Sequence, residues 1–204
     1  MCGDARGAGR RPLIYICVFN MSPLERFVQK IRSEQGLSTE VPGFDPLNGN
    51  ENARFLFVLE APGPKAVKKT GVISFDNPDQ TASNFREQLE SAKIERSEIA
   101  VWNIVPWYLG NVDKTKIRRA KTSDIEKGLA YLDHLVKLLK KLECIVLVGG
   151  AARKAHIHLS HTTGVRILSC HHTSPRVRNY KPETADENVA VFKAMKRYSP
   201  RRAQ

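Results

Sequence analysis

Cysteine is scarce and poorly spaced for chemistry. The chain holds only Cys2, Cys17, Cys144 and Cys170, and none forms a C-x-x-C pair. That spacing excludes the zinc and dithiol signatures and gives no disulfide frame. Three of the four lie in or beside apolar runs and read as buried thiols in a reducing compartment. No apolar run approaches the ~20 residues of a membrane helix, so no membrane partner is expected. The phosphate-loop spacing G-x-x-x-x-G-K-[ST] is missing. Gly149-Gly150-Ala151-Ala152-Arg153-Lys154 therefore reads as a tight strand-to-helix turn, with little weight as a nucleotide cradle. His156, His158 and His161 have no cysteine or carboxylate at ligand spacing beside them, so no metal and no cofactor is expected. Acidic residues are few as well: 21 Asp and Glu stand against 33 Lys and Arg, a net charge of +12. The imbalance favours a polyanionic partner, nucleic acid first; its other reading is solubility alone.

What remains is an ordinary soluble composition, 41% hydrophobic and 26% charged over 204 residues, enough for one domain with a substantial core. The opening MCGDARGAGRRPLIYICVFN is basic and then apolar, but the apolar piece is short and lacks a small-residue cleavage site. Ser22-Pro23-Leu24-Glu25 is a capping box with proline at the first helical position. The expectation is a loose extension over 1–20, one domain over 21–198 and a basic tail over 199–204.

Leu24, Phe27, Val28 and Ile31 recur at helical spacing up to Gly36. Residues 41–52 read as loop. Residues 54–59 are apolar on both faces, as in a central strand covered by helices on each side. The alternation continues with a helix over 81–92, a strand over 99–103 and a long helix opened by the capping box Ser123-Asp124-Ile125-Glu126. A strand over 144–148, a short helix from Gly149 to about Leu159, a strand over 165–168 and a last helix capped at Thr184 complete it. Strands separated by helices imply parallel pairing through right-handed crossovers. The predicted fold is α/β, a three-layer α/β/α sandwich around a four-stranded, mainly parallel sheet. Function in such sheets gathers at the carboxyl ends of the strands.

The first such end carries Glu60-Ala61-Pro62-Gly63-Pro64, a stiff turn whose amides can face a ligand or simply join strand to helix. The long gap that follows contains Ser74-Phe75-Asp76-Asn77 and has the length of a functional loop. The second end carries Asn103, able to offer donor and acceptor to a planar heterocycle or to cap a turn. Trp107 and Tyr108 stack on bases or cover the core. Lys114, Lys116, Arg118, Arg119 and Lys121 form a basic run, either a DNA-facing loop or a solvated surface. The last end is SCHHTSPRVRNY: His172, a rigid Thr173-Ser174-Pro175 turn, then Arg176 and Arg178, a pattern suited to a phosphate backbone.

Glu60-Ala61-Pro62-Gly63 resembles the first motif of the uracil-DNA glycosylase superfamily in its G-E-A-P-G form. His172-Thr173-Ser174-Pro175 resembles the second, H-P-S-P, and Asn103 is similar to the base-reading asparagine between them. The resemblance runs over roughly 54–195. It departs from the pattern at Leu59 for glycine, at Thr173 for proline, and at Ala61, where the best-known branch carries a catalytic aspartate. The four cysteines do not match the iron–sulfur pattern of the G-E-A-P-G branch, so no cluster is expected.

The resemblance implies hydrolysis of the bond between a base and deoxyribose in DNA, through an oxocarbenium-like transition state that places negative charge on the leaving base. It gives His172 the role of stabilising that anion. Asn103 would read the pyrimidine edge, Ala61, Pro62 and Gly63 would line the pocket, and Phe75 would stack on the base, with Ile73 nearby. For the water, Asp76 is the first candidate and Glu60 the second, with Asn77 orienting; the Asp76-Asn77 pair alternatively forms an Asx turn. Arg176 would be the wedge, and Ser174, Pro175 and Arg178 would meet the backbone. The expected partner is DNA containing uracil or another damaged base, bound by a monomer in the cytoplasm, on the nucleoid in a bacterium. The alternatives are a glycosylase for hypoxanthine or mismatched thymine, a variant that traps its abasic product, and a non-catalytic sensor of abasic DNA.

Overall fold

The computed structural model describes residues 21–36 and 40–197. The expected extension over 1–20 and the basic tail lie outside the described residues. Helix α1 (Pro23–Gln35) opens on the predicted capping box: Glu25 N–H donates to the Ser22 hydroxyl at 3.1 Å, and Ser22 N–H donates to the Glu25 carboxylate at 2.7 Å. Gly36, at φ +63, ends it in the left-handed region that favours glycine.

Two short strands, β1 (Gly43–Phe44) and β3 (Val72–Ile73), pair in parallel as a ribbon beside the main sheet. At two residues each they carry no periodicity, and the sequence reading leaves them as loop. Between them runs β2 (Phe55–Leu59). Asp79 caps helix α2 (Gln80–Ser91) by accepting Ala82 N–H at 3.0 Å. Then come β4 (Ile99–Asn103), α3 (Thr122–Leu138), β5 (Cys144–Val148), α4 (Gly149–Arg153), α5 (His156–Thr162), β6 (Arg166–Cys170), α6 (Pro175–Tyr180) and α7 (Thr184–Arg197).

Strands β4-β2-β5-β6 form the central four-stranded sheet, parallel throughout. The order places the switch point beside β2, where crossovers run in opposite directions and leave a crevice at the carboxyl ends. Strands β2, β4 and β5 are buried on both faces, as their unbroken apolar runs require, while the edge strand β6 is partly exposed. On one face Phe57 meets Phe85 of α2 and Phe192 of α7, each at 5.1 Å between ring centroids and edge to face. On the other, Trp102 of β4 meets Phe27 of α1 at 5.3 Å.

Several boundaries differ from the sequence reading; β6 runs on to Cys170 instead of ending at Leu168, and three helix starts or breaks also move. Helix α3 opens at Thr122, because Asp124 accepts the Lys121 N–H at 2.8 Å and both its oxygens also take Arg118. The Ser123 box is therefore not made. The helix expected from Gly149 to Leu159 breaks into α4 and α5 at Lys154 and Ala155. Thr184 is the first residue of α7 rather than its cap, its hydroxyl donating back to the Lys181 carbonyl at 2.7 Å.

Candidate active site

Register decides which side chains reach the crevice. Leu59 pairs with Asn103, and Phe57 with Val101, so all four lie on the sheet face covered by α2 and α7. There a cavity of about 470 Å³ opens at the strand ends. Its wall includes Glu60, Ala61, Pro62 and Gly63 from the turn after β2, and Phe75 and Asn77 from the long loop. Asn103 from β4 and His172 from the turn after β6 complete the set. The first motif, the asparagine and the histidine of the second motif thus share one cavity.

Asn103 is 2% exposed, and its Nδ2 is buried without a hydrogen-bond partner among the described residues. A buried donor left unpaired at a cavity wall costs stability in the empty protein, about 1–3 kcal/mol, and is satisfied by an acceptor on a ligand. Asn48 Nδ2, Asn50 Oδ1 and Trp102 Nε1 are also buried and unpaired among the described residues, but of these four residues Asn103 alone lines the cavity. Asn84, 1% exposed, by contrast donates to the Thr173 carbonyl at 2.8 Å and accepts from Arg178 at 2.7 Å.

His172 is held in one tautomer. Ser174 N–H donates to its Nδ1 at 3.1 Å, so Nδ1 is an acceptor and the ring proton sits on Nε2. Burial lowers its pKa below the ordinary 6.5, and the nearby Glu60 charge opposes that shift without cancelling it. The ring is therefore a neutral N–H donor at neutral pH. The turn bearing it is fixed on α2 by Asn84 and by the Thr173 hydroxyl, which donates to the Thr81 carbonyl at 3.1 Å. Threonine at this position supplies a bond that proline could not.

Gly149 backs the imidazole. It has φ +86, and a Cβ there would lie 2.9 Å from the His172 Cβ and 3.0 Å from its Cδ2. Gly149 is thus a seat for His172, a role the sequence gives no sign of because the two residues are distant in the chain.

The carboxylates divide. Glu60 lines the cavity; one oxygen accepts Ala120 N–H at 2.8 Å, and the other makes no hydrogen bond among the described residues. Asp76, the first candidate from sequence, is not in the cavity wall. It lies between Arg96 at 2.5 Å and Arg86 at 3.3 Å, and the Arg96 bond leads the causes that hold its pKa below the usual carboxylate range. Loop position alone could not reveal arginines supplied by α2 and by the approach to β4. Asp79, not singled out in the sequence, does line the cavity while capping α2. Asn77 is buried in the wall, with Oδ1 accepting from the Thr70 hydroxyl at 2.7 Å and Nδ2 donating to the Val72 carbonyl at 3.1 Å.

On the rim, Ser174 stands at the N-cap position of the short α6 without a side-chain capping bond, Pro175 is its first residue, and Arg176 is exposed with no partner among the described residues. Arg178 instead faces α2, bonding Glu87 at 2.7 Å as well as Asn84, and so fastens α6 down. The opposite rim is the basic segment. A bridge between Gly110 and Ile117 folds it back, and Asn111 Oδ1 accepts both Thr115 N–H and Lys116 N–H, at 3.0 and 2.9 Å. Ile117, Arg118 and Arg119 thereby line the cavity. Trp107 and Tyr108 are 8% and 4% exposed and belong to the core side of this segment, not to a stacking surface.

Among the described residues no group of histidine, cysteine, aspartate and glutamate could hold a metal ion, and no helix is long and apolar enough to cross a membrane. Burial raises the thiols of Cys144 and Cys170 to about 12, which leaves them unreactive.

No curated protein matches the chain significantly. Among solved structures it is similar to a Methanosarcina acetivorans protein studied by solution NMR and provisionally named a uracil DNA glycosylase. That likeness has 18% identity over 76% of this chain and 98% of the other, with a TM-score of 0.46. It is also similar to a point mutant of UNG from Nitratifractor salsuginis, at 15% identity over 85% and 88% of the two chains, TM-score 0.45. A sequence family, the uracil DNA glycosylase superfamily, matches residues 46–196. With that match covering well over half of its length, and with the first motif and the histidine of the second on one cavity, the chain belongs to the uracil DNA glycosylase superfamily.

Proposed function

We propose that this DNA glycosylase removes uracil from DNA by hydrolysis and leaves an abasic site. The observation that carries the reading is the meeting of two donors on one cavity: the unpartnered Nδ2 of Asn103 and the neutral imidazole of His172, whose proton is on Nε2. The uracil edge offers carbonyl oxygens on either side of a ring N–H, which suits an amide that gives one bond and takes another.

In the reaction the C1′–N1 bond breaks and its electron pair leaves with the base. His172 Nε2–H donates to the oxygen where that charge collects, an interaction that strengthens as the bond lengthens and therefore raises the rate. A water oxygen bonds to C1′ and passes a proton to the Glu60 carboxylate, and the departed base anion takes up a proton from solvent. Glu60, the motif carboxylate in the cavity with an uncommitted oxygen, holds that water, and its negative charge also favours the positive sugar. Ala61, Pro62 and Gly63 line the base pocket and Phe75 stacks on the ring. Arg176, exposed and unpaired beside the His172 turn, fills the gap left by the extruded base, while Ser174 and Pro175 meet the backbone.

The test is a duplex with one uracil, incubated with protein and analysed for free base and alkali-labile strand breaks. Release is expected, and His172→Ala should slow it about 10²–10³-fold, the cost of one lost oxyanion donor. Release of hypoxanthine or mismatched thymine without uracil reassigns the lesion. Binding to abasic DNA with no base released makes the protein a sensor, and a band shifted on a denaturing gel makes it a trap.

A further inference from the structure

The loop carrying Phe75 is built around a cation outside the cavity. Arg96 precedes β4, and its guanidinium carbon lies 4.3 Å from the centroid of the Phe75 ring. Each of its three nitrogens is engaged: Nη2 bonds Asp45 at 2.7 Å, Nη1 bonds Asp76 at 2.5 Å and Nε bonds Asn48 at 3.3 Å. Asp45 is itself buried and fixed, accepting Leu47 N–H at 2.9 Å and the Ser74 hydroxyl at 2.5 Å. Ser74 in turn accepts Asp76 N–H at 3.0 Å. Arg86 of α2 closes the far side of Asp76. Phe75 forms cavity wall and Arg96 does not, so the guanidinium covers a side of the ring that the cavity does not use.

A network of this kind is far more than a loop needs for solubility. Two carboxylates and an amide fix one guanidinium plane, and that plane fixes one ring. The charge has an electronic effect as well. A cation over one face of an arene draws π density toward itself and leaves the opposite face less negative. A base that gains electrons as its glycosidic bond breaks is then held better on that face than the neutral base before cleavage.

We propose that Arg96, oriented by Asp45 and Asp76, is a positioning and polarising residue that acts through Phe75 to favour the departing base anion. The inference rests on the glycosylase reading and deepens it. It also gives Asp76 a role in place of the water-holding one expected from sequence: it orients Arg96.

The experiment measures single-turnover release from a single-uracil duplex, together with the KM for DNA, using the full chain. Arg96→Met keeps bulk and removes charge; it should slow release about tenfold while KM moves less than about twofold. Arg96→Lys should recover part of the rate. The decisive arm is a double-mutant cycle: in a Phe75→Leu background, Arg96→Met should change the rate by less than about twofold, because the ring that transmits its effect is gone. Should Arg96→Met fail to fold around an unpaired Asp45, Asp45→Asn/Arg96→Met removes both charges and enters the same cycle. Equal slowing in both backgrounds, an effect on KM alone, or no slowing overturns the clamp while leaving the glycosylase reading intact. A wild-type protein that releases no base from any lesion removes that reading, and the clamp with it.

Discussion

At the scale of single residues, His172 has a signature apart from rate. Its folded pKa is lowered by burial, against an ordinary value of 6.5. Between those two values the unfolded chain binds the proton and the native chain does not, so stability rises with pH across that interval. The contribution is complete above the unfolded value near 6.5 and is lost as pH falls below it toward the lowered native value. Protonation also places a hydrogen on Nδ1, where Ser174 N–H already donates, so the imidazolium must break a native bond. Urea unfolding at a series of pH values should therefore show the wild type losing stability relative to His172→Gln as pH falls through this interval. Parallel curves for the two proteins would mean that His172 titrates freely in the native state, and would remove the neutral-donor assignment.

At the scale of elements, the site depends on how the β6–α6 turn is fastened to α2. The Asn84 amide bonds the Thr173 carbonyl and Arg178 from a fully buried position. Asn84→Ala should cost about 2 kcal/mol, since it leaves a buried carbonyl unpaired and opens a small hole. It should also slow base release, because the turn that orients His172 loses its tie. Thermal unfolding should fall by about 4–8 °C, and single-turnover assays at a temperature where the variant remains folded should separate the slowing from instability. A variant with native rate and lowered melting would confine Asn84 to the scaffold. This same tie marks the limit of what the sequence discloses. The strands, their ends and the positions of Glu60, Asn103 and His172 were legible, because dry parallel strands are continuous apolar runs and their ends carry polar punctuation. Asn84 and Gly149 were not, because their partners are 89 and 23 positions away: Asn84 bonds Thr173, and Gly149 touches His172. The arginines that hold Asp76 were hidden for the same reason, and Asp124 accepts the Lys121 N–H while also holding Arg118.

At the scale of the whole molecule, the question is what the +12 charge is for. Solubility needs only scattered cations, whereas a DNA track needs uncommitted ones near the cavity. The basic rim contains both kinds. Lys114 pairs with Glu40 at 3.7 Å and Arg118 with Asp124 at 2.6 Å, whereas Lys116 and Arg119 are exposed and their side chains have no partner among the described residues. A cation already neutralised by a carboxylate displaces few counterions from a phosphate; an uncommitted one displaces nearly a whole ion. Lys116→Ala/Arg119→Ala should therefore flatten the log–log dependence of DNA affinity on salt by about two. Lys114→Ala should change it by well under one. Fluorescence anisotropy with a labelled duplex across a salt series measures both slopes. Equal slopes for all three proteins would assign the charge to solubility and move the DNA track away from this rim, toward the side that carries the exposed Arg176 beside the His172 turn.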